Sequence, residues 1–202
     1  MYVDSAEVEG DYHALIRMAG LDPYDSNSIW SVCVGLTGNP PIDCHGRASY
    51  ENVDGDERII VCGSLPGIFK CMAVAHEISH VYMKRIGKEP DNLEDICDSI
   101  GAALGNPFHV MRKAVRFFGV NPMSIRMMAG SIGVTESAIV LRLAELQHVR
   151  VGIVDTGKRV ISRGAELNPN VSDEQLRMIL KSDSVCNVYI GDQRGFKAGY
   201  II

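Results

Sequence analysis

Two histidines four residues apart, set in a stretch otherwise rich in apolar side chains, constrain this chain more than any other feature. Residues 65–87 contain His76-Glu77-Ile78-Ser79-His80. On a helix, side chains four apart lie above one another, so His76 and His80 point the same way and can reach one ion, with Glu77 beside them. The flanks predict such a helix: Ser64 as N-cap, Pro66 in the first turn where amides lack partners, and Gly87 as the stop. Ile68, Met72, Val74, Ile78, Val81 and Tyr82 make it apolar on more than one side. That pattern predicts a buried helix with both imidazoles held inside the protein.

Two buried imidazoles facing one space are hard to satisfy with hydrogen bonds alone, and a Zn2+ ion resolves the conflict. The spacing is that of the zincin motif, in which the two histidines bind metal through nitrogen and the glutamate is the general base toward water. Catalytic zinc keeps three protein ligands, so a third has to come from another segment. A helix is predicted to begin near Leu93, capped by Asn92 or Asp91, and its small residues Cys97, Gly101, Ala102, Ala103 and Gly105 allow close approach to the histidine helix. Glu94, in the first turn, is the expected third ligand, with Glu89 and Asp98 as runners-up. Asp98, one turn on, is placed to accept the other ring N–H of a ligating histidine. One zinc per chain is expected. Tyr50 and His109 are candidate donors to a developing oxyanion or to substrate. A cysteine site is the weaker alternative, because the six cysteines form no C-x-x-C pair and read as reduced core thiols.

A net charge of −5, with both signs spread along 202 residues, gives no general attraction to nucleic acid. No apolar run approaches the roughly 18–20 residues that span a bilayer, and the N-terminus is acidic where a secretory signal would be basic. The expectation is a cytoplasmic protein with no membrane partner.

Along the chain, Ser5 to Ala19 predict a first helix, and Ser28 to Leu36 a second, short one with Trp30, Val34 and Leu36 facing inward. Strand patterns follow at Arg47 to Tyr50 and Arg58 to Cys62 around a Val53-Asp54-Gly55-Asp56 turn. By analogy with zincins, the edge of this hairpin is where a peptide substrate would lie. The tail predicts a hairpin over Val151 to Ser162, a helix opened by the capping box Ser172-Asp173-Glu174-Gln175, and strands over Cys186 to Ile190 and Lys197 to Ile202 around a turn at 191–195.

From Glu94 onward the chain reads Glu94-Asp95-Ile96-Cys97-Asp98-Ser99-Ile100-Gly101-Ala102-Ala103-Leu104-Gly105-Asn106-Pro107. With the histidine helix before it, this resembles the ImmA/IrrE family of zinc metallopeptidases, whose second helix typically reads Glu-x-x-Ala-Asn/Asp-x-Phe-Ala-Ala-x-Leu-Leu-Met-Pro. Glu94 matches the glutamate ligand, Asp98 the Asn/Asp, Ile100 the Phe, Ala102 the second Ala, Leu104 the first Leu and Pro107 the closing Pro. Cys97, Gly101, Gly105 and Asn106 depart from the pattern and leave the metal set untouched. The resemblance extends into Met123 to Leu146, a helix-turn-helix-like segment turning at Ser131-Ile132-Gly133-Val134, and covers about residues 40 to 148.

The resulting expectation is an α+β chain in three parts: a zincin-like metallopeptidase core over 1–106, a helix-turn-helix-like helical segment over 107–149 and a small α/β domain over 150–202. The resemblance implies a zinc endopeptidase that cleaves a helix-turn-helix repressor and so releases stress or mobile-element genes. Direct DNA reading is disfavoured, because the second helix of the segment, Glu136 to Gln147, offers only Arg142 as a base. Lys113, Arg116 and Arg126 form a modest basic group upstream. The alternative is a DNA-binding or protein-binding transcriptional regulator with a structural or vestigial zinc site, and retention of Glu77 separates the two, since a structural site needs no base.

Overall fold

The structure is a computed structural model, and it describes residues 5–25, 27–155, 157, 160–164, 172–181, 187–189 and 197–201. Among the described residues, eight helices and two sheets, one of three strands and one of four, make an α+β fold. The chain divides into two compact units, Val3–Pro107 and Phe108–Ile202.

The first unit carries α1 (Ser5–Met18), α2 (Ile29–Thr37), β1 (Ile42–Cys44), β2 (Ser49–Val53), β3 (Asp56–Cys62), α3 (Gly67–Arg85) and α4 (Leu93–Gly105). Val8, Tyr12, Leu15 and Ile16 recur at helical spacing along α1 and are all buried. Ser28, read as the first residue of α2, is its N-cap through its side chain, and the inward face of that helix is Val32, Cys33 and Leu36. Trp30 and Val34, expected inside, are exposed. A nine-residue helix that is apolar nearly all round does not reveal which stripe its neighbours will cover.

The sheet has the order β1-β3-β2, with β1 parallel and β2 antiparallel to β3. Asp54 and Gly55 both take positive φ, the conformation a tight hairpin turn needs, so the Asp-Gly signal held. Strand β2 starts at Ser49, two residues later than predicted, and Arg47 and Ala48 precede the ladder. Ile59 and Val61 of β3 point into the core, and the period of two turns Arg58, Ile60 and Cys62 to the opposite face.

Helix α3 begins at Gly67 with Pro66 at its N-cap, and no side chain caps it. Ser64, the expected cap, instead has its hydroxyl 3.0 Å from the Cys62 thiol. Val74, Ala75, Ile78, Val81 and Met83 are buried, whereas Met72 is exposed. Asn92 stands at the N-cap of α4 but makes no side-chain cap bond, so neither Asn92 nor Asp91 caps it as expected. Helix α4 packs along α3, and Gly101 lies at a close approach: a Cβ there would lie 3.1 Å from the His76 backbone nitrogen.

The second unit carries α5 (Phe108–Phe118), α6 (Pro122–Ile132), α7 (Glu136–Glu145), β4 (Val151–Asp155), β5 (Val160–Arg163), α8 (Asp173–Lys181), β6 (Asn187–Tyr189) and β7 (Lys197–Ile201). Asn121 and Ser124 form a reciprocal capping box on α6, Gly133 closes it, and Thr135 caps α7. The two helices meet at 106°, a helix-turn-helix angle. Met111, Ile125, Met128, Ile139, Val140 and Leu143 share one core with Val154, Ala198 and Tyr200 of the sheet β5-β4-β7-β6. The helical segment and the tail are thus one packed body. The Ser172–Gln175 capping box is present in both directions. Cys186 and the turn expected at 191–195 lie outside the described residues.

Arg142 corrects the surface reading of α7. It is 1% exposed. Its guanidinium bonds Glu145 at 2.7 Å and lies 3.8 Å from the centre of the Phe108 ring. Among the described residues, no single helix is long and apolar enough to cross a membrane, and α6 and α7 qualify only as a pair across their bend.

Candidate metal centre

The site is built where α3 and α4 press together. His76 and His80, one turn apart on α3, bring their Nε2 atoms to 3.0 Å. Glu94, in the first turn of α4, sets one carboxylate oxygen 3.3 Å from His76 Nε2 and the other 3.4 Å from His80 Nε2. One ligand atom from each residue fits within 4.8 Å of the other two. Ligands bound about 2.0–2.1 Å from a tetrahedral zinc lie roughly 3.3–3.4 Å from each other, the separation of each imidazole nitrogen from one of the two carboxylate oxygens.

Hydrogen-bond chemistry makes the same point. Asp98 Oδ1 lies 2.9 Å from His76 Nδ1, and an ionised carboxylate only accepts, so Nδ1 carries the proton and Nε2 of the neutral ring offers a lone pair to the cluster. Cys97 Sγ lies 3.6 Å from His80 Nδ1 on the far side of that ring. Both rings therefore turn Nε2 toward an acidic pair of oxygens, an array of acceptors that a cation satisfies. The residues fit a zinc ion, with His76, His80 and Glu94 as the ligands and Asp98 behind His76.

The electrostatics follow from this crowding. The Asp98 hydrogen bond raises the His76 pKa; burial opposes it, and the charges of Asp98, Glu77 and Glu94 add to it. Burial raises the Glu77 carboxyl, against the pull of His76, His80 and the Tyr50 backbone N–H. Burial also pushes the Cys97 thiol up to about 12, with the charges of Glu94, Asp98 and Glu77 adding to it. Cys97 therefore stays a thiol near neutral pH.

The histidines are not sealed in as the apolar helix predicted. Their side chains are 24% and 22% exposed, and Glu94 is 75% exposed. His80 and Glu77 open on a groove of about 440 Å³, lined also by Ser49, Tyr50, Lys84 and Glu89. Glu89 stays in the wall of the groove, outside the ligand cluster. The Tyr50 hydroxyl is directed to Glu57, 2.6 Å away, and its backbone N–H donates to Glu77. His109 stands on α5 in the second unit, whereas the cluster is built wholly from the first. Spacing alone did not single out three contributors: Gly101, Cys97 and the Tyr50 N–H. The first two were visible only as small residues on α4.

Fold and site together define an α+β protein with a two-histidine, one-carboxylate cluster able to hold a metal ion. No family model matches the chain, and no curated protein matches it. Among solved structures, a Mycobacterium tuberculosis transcriptional regulator is similar at a TM-score of 0.61 and 11% identity, over 98% of this chain and 76% of that one. At this identity the likeness establishes the shared fold.

Proposed function

We propose that the chain is a gene-regulatory, zinc-dependent endopeptidase that hydrolyses a bond in a specific protein, a helix-turn-helix repressor by the resemblance of its sequence. The observation that carries this reading is the convergence of His76, His80 and Glu94 with the Glu77 carboxyl held on the groove beside them. A bound zinc supplies a Lewis acid that polarises a carbonyl and makes water easier to deprotonate. Asp98 orients His76, and Gly101 lets α4 carry Glu94 close enough to complete the set. Glu77, its basicity raised by burial and its carboxylate aimed by the Tyr50 N–H, accepts the proton of the attacking water and passes it to the leaving amine. Strand β2 is an edge strand and contributes Ser49 and Tyr50 to the groove, so an extended peptide can lie along it.

The second reading is a transcriptional regulator that binds DNA or protein around a structural metal, and the fold likeness to a transcriptional regulator favours it. The burial of Arg142 weighs against DNA reading through α7, which is left without a free base on its surface. Glu77→Gln decides between the readings. The peptidase reading expects zinc content unchanged and cleavage of the partner protein lost by at least about a hundredfold. Full regulation by this variant in cells would support the structural-metal reading instead.

A further inference from the structure

A second reactive group lies on the outer face of the small sheet, apart from the metal cluster. Cys44 and Cys62 are Cα partners in the parallel pair β1–β3, so their side chains leave the sheet on the same face. Neighbouring strands lie about 4.7–4.9 Å apart, inside the Cα separation that a disulfide accepts. The bend after β1 brings Gly46 over both sulfurs: its N–H donates to Cys62 Sγ, and a Cβ on it would lie 3.9 Å from Cys44 Sγ. Cys62 Sγ also faces the Ser64 backbone N–H and lies 3.0 Å from the Ser64 hydroxyl, while the Leu65 N–H donates to the Cys62 carbonyl at 3.1 Å. A hydroxyl and nearby amides facing one sulfur favour its anion. Both thiols are partly open to solvent, unlike the buried Cys33 and Cys97. The same hydrogen bonds, the Ser64 hydroxyl foremost, lower the Cys62 pKa.

We propose that Cys62 and Cys44 form an oxidant-reactive dithiol whose co-substrate is a hydroperoxide. The Cys62 thiolate attacks the terminal peroxide oxygen, an S–O bond forms as the O–O bond breaks, and the alcohol or water leaves with a proton. The Cys44 thiol then attacks the Cys62 sulfenic sulfur, the S–S bond forms as the S–O bond breaks, and the thiol proton leaves in water. Two thiols and one hydroperoxide thus give one disulfide, one alcohol and one water, and a dithiol reductant reverses the oxidation.

The test is hydrogen peroxide treatment of the full chain, alkylation of the remaining thiols and peptide mapping without reduction. The expected product joins the peptides bearing Cys44 and Cys62, and Cys62→Ser abolishes it. In Cys44→Ser, dimedone captures a sulfenic acid on Cys62 at least about tenfold faster than on Cys71. A wild-type map without the Cys44–Cys62 link, or with Cys62 joined to another cysteine, overturns the pairing. Equal capture at Cys62 and Cys71 overturns the activation of Cys62.

Discussion

At the scale of single residues, Glu57 shows how a carboxylate can be held ionised in a half-closed place. Burial works to raise its pKa, and the Tyr50 hydroxyl and the Arg85 guanidinium outweigh burial, so that it lies below the usual 4.5. A depressed folded-state pKa contributes stability that is present above the unfolded value and is lost as pH falls through the folded one. Tyr50→Phe removes one of these donors. It should cost about 1.5 kcal/mol near pH 7, and the gap to wild type should shrink as pH drops below 4. Denaturant unfolding across a pH series measures this; a gap independent of pH contradicts it. Asp98 makes a different kind of contact, a bond to the outer nitrogen of His76. Asp98→Ala should weaken zinc binding by about 10–100-fold in a competition titration, with one site retained.

At the scale of elements, the packing of α3 on α4 decides whether there is a site at all. Gly101 sits where any Cβ meets the backbone of Ala75 and His76. Gly101→Val should destabilise the first unit by about 1–3 kcal/mol and weaken zinc binding at the same time, because the helix that must step back carries Glu94. Unchanged zinc affinity in a destabilised variant would detach the ligand from the packing. Much at this scale was legible in advance: i,i+4 spacing aligned His76 and His80, Asp-Gly marked the hairpin, and Ser172 marked a helix start. Ser64 was misread because a nearby thiol competes for its hydroxyl, so that Pro66 takes the N-cap position. Trp30 and Val34 were misplaced because inward and outward stripes of a short apolar helix look alike.

At the scale of the whole molecule, the chain keeps two cores with different chemistry. The first unit surrounds the His76, His80 and Glu94 cluster, and the second buries Arg142. Sequence reading put Arg142 outside because charge defaults to the surface, and only the fold brings Phe108, Glu145 and, at 3.5 Å from Glu145, Arg163 around it. Arg142→Ala removes the nearer of these two cations from the buried Glu145, leaves a cavity beside Phe108 and should cost about 3 kcal/mol, with hydrogen-exchange protection lost in α5–α7 and zinc stoichiometry unchanged. Protection lost instead in α3 and α4 would contradict this assignment of cores. The same outlook explains why Glu94 and Asp98 were ambiguous from spacing alone: an acidic pair on one helix face is equally a solvated face until a second helix brings ligands to it.

One divalent ion at the junction of α3 and α4 is the central proposal, and anomalous diffraction at the zinc edge from crystals grown with zinc tests for it. A single strong peak per chain is expected, about 2.0–2.2 Å from His76 Nε2, His80 Nε2 and a Glu94 carboxylate oxygen. A peak on cysteine sulfur, or none between the two histidines, would contradict it.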